Sequence, residues 1–191
     1  MRNIKMLLGV VVIASTLAGC APVVVGGAAA GGSMALDRRT SGAYVEDQAI
    51  EVKAETQIIK QLGEKVHINV TSFNRNVLMT GEARDEGSRK KAEMAIKGLE
   101  NVRNITNEVV VGMISAMSGR ANDTYLTSKV KTRMLTENKF PANYVKVVTE
   151  DSVVFLMGMV TRKEAEDAVE IARNTDGVSK VVKVFEYVVE Q

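Results

Sequence analysis

The sequence predicts an α+β fold made of two αββαβ modules, each a small mixed sheet packed with two helices. Two observations carry this. Hydrophobic spacing switches between helical and extended periods in the order helix, strand, strand, helix, strand, and the whole pattern occurs twice along the chain.

In the first copy Ile50, Ala54, Ile58, Ile59 and Leu62 recur at helical spacing and fall on one face, with Asp47 as the expected N-cap and Gly63 as the stop. Alternation follows through His67-Ile68-Asn69-Val70-Thr71. Asn74-Arg75-Asn76 supplies turn chemistry, and Val77-Leu78-Met79 runs to Gly81, which reads as a hairpin. Ser88 to Leu99 returns to helical spacing through Ala92, Ala95, Ile96 and Leu99, and Val102 to Val111 closes the unit as a strand. Gly81 and Gly158 end the second strands, where a bend or the close approach of a helix leaves no room for a side chain.

Sliding the chain on itself by about 76 places sets Asp47 on Asp123, Ile50 on Leu126, Ala54 on Val130, Ile58 on Met134 and Ile59 on Leu135. One extra residue near Pro141 then brings Val70 onto Val147, Leu78 onto Phe155 and Gly81 onto Gly158. One residue fewer around the second helix restores the offset, so that Ala92 meets Ala168, Ile96 meets Ala172 and Val102 meets Val178. Both adjustments fall between elements, where insertions are tolerated. The modules therefore span 45–112 and 123–191, joined by a linker at 113–122. Phe155, Met157 and Met159 share one strand face while Val154 and Leu156 take the other, so the strand is covered on both sides, with Met filling uneven core space.

Val153 to Val160, Glu164 to Ala172, and Asp176-Gly177-Val178 with Val181 and Val184 beyond resemble the BON domain. The resemblance covers both copies, although Asn101 stands in the first where Gly177 stands in the second. It implies a compact helix-and-sheet module without catalytic residues, and a role in binding phospholipid and maintaining the cell envelope.

The N-terminal segment has a different logic. Arg2 and Lys5 precede an apolar run from Met6 to Leu17 of about a dozen residues, short of the roughly 20 that a membrane span needs. Leu17-Ala18-Gly19-Cys20 closes it on the sole cysteine of the chain and resembles the lipobox of bacterial lipoproteins. That resemblance implies a signal peptide at 1–19, cleavage before Cys20 and lipidation of its thiol. Each buried methylene contributes about 0.8 kcal/mol, so two or three acyl chains hold a protein to a membrane stably. Ala21, in place of an Asp, implies the outer membrane, with the protein facing the periplasm. Residues 20–44, rich in Gly and Ala and running through Asp37-Arg38-Arg39-Thr40-Ser41-Gly42, read as a flexible tether, and their glycines lack the spacing of a phosphate-binding loop.

Composition narrows the function. Lys and Arg number 25 against 23 Asp and Glu, so no global basic field points to nucleic acid. With Cys20 lipidated no disulfide is available, and two small unstapled modules gain from docking against each other. There is no nucleophile with a base, no metal-ligand cluster and no paired carboxylates on a defined loop, so neither an enzyme nor a metal or other cofactor is expected. His67, the single histidine, reads as a surface or hydrogen-bonded residue.

Function should then lie where the copies differ. The first helix of the first copy carries Glu46, Asp47, Glu51 and Glu55 against Lys53 and Lys60, and that of the second carries Asp123 and Glu137 against Lys129, Lys131, Arg133 and Lys139. Tyr125 replaces Ala49, and Tyr125, Lys129 and Arg133 recur every fourth residue along one helical side, beside a core stripe of Leu126, Val130 and Met134. A ring beside a row of cations suits an anionic phospholipid surface. The alternative is an envelope scaffold, its lipid tail serving only as anchor, whose acidic and basic helices contact each other or an envelope protein.

Overall fold

The computed structural model describes residues 37–114 and 117–189. The signal segment, Cys20 and most of the expected tether lie outside the described residues.

The first module runs α1 (Ser41–Leu62), β1 (Val66–Phe73), β2 (Asn76–Ala83), α2 (Glu86–Lys97), β3 (Asn104–Asn107) and β4 (Val110–Val111). The second runs α3 (Met117–Glu137), β5 (Val145–Glu150), β6 (Val153–Val160), α4 (Arg162–Arg173) and β7 (Lys180–Tyr187). In each, the middle strand pairs antiparallel with its hairpin partner and parallel with the strand that returns after the second helix. The helix between parallel strands supplies the crossover that such a pairing demands.

Both hairpins turn on two residues with positive φ, Asn74 and Arg75 in one and Asp151 and Ser152 in the other. That is the backbone of a type I′ turn, whose twist matches the strands it joins. The sequence expectation that Asp47 caps its helix is corrected here. Helix α1 starts at Ser41, where Thr40 Oγ1 accepts from the Ala43 N–H, and α3 starts at Met117, so much of the expected linker is helical. Asp47 sits fully buried inside α1, and its carboxylate instead accepts from the Asn74 and Arg75 N–H groups and from Ser72 Oγ. Asp123 does the same for Asp151 and Ser152. A tight turn leaves its N–H groups without strand partners, and a buried donor must find an acceptor. Each first helix thus locks its own hairpin.

Gly63 ends α1 as expected, at φ 51°. A Cβ on Gly81 would lie 2.1 Å from the His67 carbonyl oxygen, and one on Gly158 would lie 2.3 Å from that of Tyr144. The close approach is to backbone at or just before the start of the neighbouring strand, and not to either of the packed α-helices. The expected strand from Val102 to Val111 is broken in two, because Asn107 Oδ1 takes the Val109 N–H and interrupts the ladder.

Three apolar clusters set the layers. Ile50, Ala54, Ile58, Val77, Met79, Ala92 and Ile96 join α1 and α2 to one face of the first sheet. Val130, Met134, Val154, Leu156, Ala168 and Ile171 do the same in the second module. The third cluster, Phe73, Leu78, Phe155 and Met157 with Val148, Met159, Val182 and Val184 around it, lies between the two sheets. The molecule is a four-layer stack of helices, sheet, sheet and helices, in which Phe155 and Leu78, matched by the repeat, meet across the middle. Ile59, expected on the apolar face of its helix, and its repeat partner Leu135 are instead 69% and 67% exposed.

Polar contacts rim that middle layer. Glu150 Oε2 accepts from Asn69 Nδ2 (2.8 Å) and Thr80 Oγ1 (3.1 Å), Glu186 accepts from Asn74 Nδ2 (2.7 Å), and Lys146 Nζ donates to Glu51 (2.7 Å). Residues 37–40, expected to continue the tether, belong to the fold. Arg39 pairs with Asp37 and Asp47 and stacks 4.0 Å over the Phe73 ring in the first module. Arg38 pairs with Glu164, donates to the Met159 carbonyl and stacks 4.0 Å over Tyr144 in the second. Burial of Glu164 raises its carboxyl, but the Arg38 and Thr161 hydrogen bonds outweigh that and hold it below the usual range.

Candidate functional site

Helix α3 carries Tyr125, Lys129, Lys131 and Arg133, and packing decides what each can do; Lys139 lies past its end and pairs with Glu137 and Glu170. Leu126, Val130 and Met134 are buried against the second sheet, which turns the opposite side of the helix to solvent. Tyr125 stands there, 62% exposed, and Leu135 shares the outward face. Leu135 escaped sequence reasoning because its repeat partner Ile59 reads as core. The signal was its angle: ten residues from Tyr125, it lies about 80° around the helix, still away from the core stripe.

The cations divide into two kinds. Lys129 and Arg133 share a side with Tyr125, but both lean onto the end of α4. Lys129 Nζ donates to the Asp176 carbonyl (3.0 Å) and lies 3.6 Å from its carboxylate. Arg133 Nη1 donates to the Ile171 carbonyl (3.2 Å), the Asn174 carbonyl and Thr175 Oγ1 (3.1 Å), while Nη2 pairs with Glu137 (2.6 Å). The carbonyls at a helix C-terminus have no partners within the helix and carry partial negative charge, so a guanidinium is well placed there. Arg133 is therefore a cap for α4, and reversing its charge would disturb the fold.

Lys131 lies on the other flank of α3. It is exposed, has no ion-pair partner among the described residues, and lines a groove between the modules with His67, Arg120, Thr124 and Ser128. The arrangement is an aromatic and aliphatic ridge, Tyr125 and Leu135, between a held cation pair and a free cation. Among the described residues no group of three or more His, Cys, Asp or Glu could hold a metal ion, and no helix is long and apolar enough to cross a membrane.

The fold agrees with comparison to known proteins. The BON domain family model matches residues 46–113 and 122–188, and the chain belongs to that family, with two BON domains in tandem. It is 34% identical over 189 residues to the outer membrane lipoprotein DolP of Haemophilus influenzae, spanning 98% of this chain and 96% of that one. It is also 35% identical over 155 residues to a 21 kDa hemolysin of Actinobacillus pleuropneumoniae, covering 80% of each. The osmotically-inducible protein Y of Escherichia coli is 30% identical over 144 residues, covering 73% of this chain and 72% of its own. The chain is a dual-BON, DolP-like lipoprotein of the outer membrane.

Proposed function

We propose that this lipoprotein binds anionic phospholipid through helix α3 of its second BON domain and in that way supports outer-membrane integrity, without catalysing a reaction. The exposed Tyr125 carries the reading. A ring on the solvent face of a helix, with Leu135 further along that face and Lys131 and Lys129 on its flanks, matches what a headgroup layer selects: an amphipathic ring at headgroup depth and cations each contributing about 1 kcal/mol near an anionic surface. The first domain has Ala49 at the equivalent position, which makes it the internal control.

The test is co-sedimentation of a soluble form beginning at Asp37 with vesicles of phosphatidylglycerol or of phosphatidylcholine. The parent binds the first and not the second, and binding weakens as salt rises, because attraction fades within a Debye length of about 8 Å at physiological salt. Tyr125→Glu and Lys131→Glu each lower binding, while Ala49→Glu does not. Undiminished binding by folded Tyr125→Glu would refute the proposal. It would favour the scaffold reading, in which the lipid tail only anchors the chain and an envelope protein is the partner.

A further inference from the structure

The first domain carries a surface that the fold does not require. On the outer side of α1, Val45, Val52 and Ile59 are 62%, 64% and 69% exposed. They recur every seventh residue, so they form one seam along about 21 Å of helix. A seven-residue apolar repeat is what a helix presents to another helix, and the drift over two heptads is only about 40°. The second domain, with the same fold, has Ala121, Ser128 and Leu135 at these positions. The two valines are thus not demanded by the fold.

We propose that this seam is a contact between two copies of the chain, with the α1 helices parallel and in register. Val45, Val52 and Ile59 then each meet their own counterpart across a two-fold axis, and Ala49 and Thr56 fill the positions between. Charge selects this occupant and this direction. Glu55 flanks the seam on one side and Lys60, five residues on, flanks it on the other; in a parallel pair each Glu55 faces the Lys60 of the second copy, twice over. Gln48 faces Lys53 in the same way and adds no repulsion. An antiparallel pair would also set Glu46 against Lys60 twice, but it brings Lys53 against Lys53, a repulsion that the parallel pair avoids. An anionic membrane is a poor occupant, because Glu46 and Glu55 border the seam and offset Lys53 and Lys60.

Three side chains a copy make a small contact beside the roughly 1,200 Å² of a stable complex, so association in dilute solution is weak. Lipoproteins confined to one membrane surface meet at far higher effective concentration, and a parallel pair keeps both N-terminal ends on the same side.

Cysteine cross-linking of the full-length lipoprotein in its own membrane tests this, with the parent chain as background. Val52→Cys gives a product of twice the monomer mass at least tenfold more abundant than that from Lys90→Cys, an exposed site on α2. Val45→Cys and Ile59→Cys each link to themselves, and a mixture of the two gives little of the mixed product. In the Val52→Cys background, Lys60→Glu lowers the yield severalfold, and adding Glu55→Lys restores it. A Val52→Cys yield no greater than that of Lys90→Cys overturns the proposal. So do a product whose mass reveals a different partner, a dominant Val45-to-Ile59 mixed product, or failure of the charge swap to restore the yield.

Discussion

Arg133 and Tyr125 stand two turns apart on one helix and differ in what they answer to. Arg133 donates to the last carbonyls of α4, whereas Tyr125 faces solvent, 62% exposed. Arg133→Ala should lower stability by about 1–2 kcal/mol, the worth of hydrogen bonds to a charged group on a partly exposed side chain. A thermal melt reads that as a fall of several degrees. Periodicity made the exposure of Tyr125 legible. The role of Arg133 was not, because its acceptors lie about 40 residues further on, and only the packing of α3 against α4 brings them near. The two buried aspartates carry the same lesson. An acidic residue at the edge of an apolar helical pattern reads as a cap, yet the helix extends upstream of it, and the unpaired N–H groups of the hairpin turn claim the carboxylate.

Among elements, the central strands β2 and β6 are the least forgiving, since each is paired on both edges and covered on both faces. Gly158→Ala puts a methyl group against the Tyr144 carbonyl, and backbone cannot yield as a flexible side chain would. Such overpacking costs about 1–3 kcal/mol or more, and a urea titration should show a lower midpoint with an unchanged slope. Strand order, hairpins and the alternation of faces on β6 all follow from period-two spacing in the chain. The break between β3 and β4 does not, because one amide side chain outcompetes the ladder locally. Helix starts are misplaced for a related reason: residues 41–46 and 119–122 add no buried apolar stripe, so only backbone hydrogen bonding marks them as helix.

At the scale of the whole molecule, the apolar inner faces of both sheets made burial of each legible, but nothing in either module alone says that the other covers it. The rim carries a titratable group that reports on this contact. Burial holds the Glu150 carboxyl above its usual range, against the lowering effect of the Asn69 and Thr80 hydrogen bonds, with Glu82 and Asp123 adding to the rise. A carboxyl raised on folding contributes stability while protonated and loses it as pH rises through its folded value. Glu150→Gln keeps an acceptor for Asn69 and Thr80 without the charge. It should therefore raise the Tm near pH 7, and the gain should vanish as pH falls below the ordinary Glu value of about 4.3. A Tm lowered at neutral pH would show that the ionised carboxylate is what holds the sheets together.

Arg38 and Arg39 are neighbours in the chain, yet one grips the second domain through Glu164 and Tyr144 while the other grips the first through Asp47 and Phe73. Any pull arriving from the N-terminal side therefore divides at a single peptide bond and enters both domains at once. Load on that end is shared by the two domains from Arg38 and Arg39 onward, rather than passing through the whole of the first domain before it reaches the second.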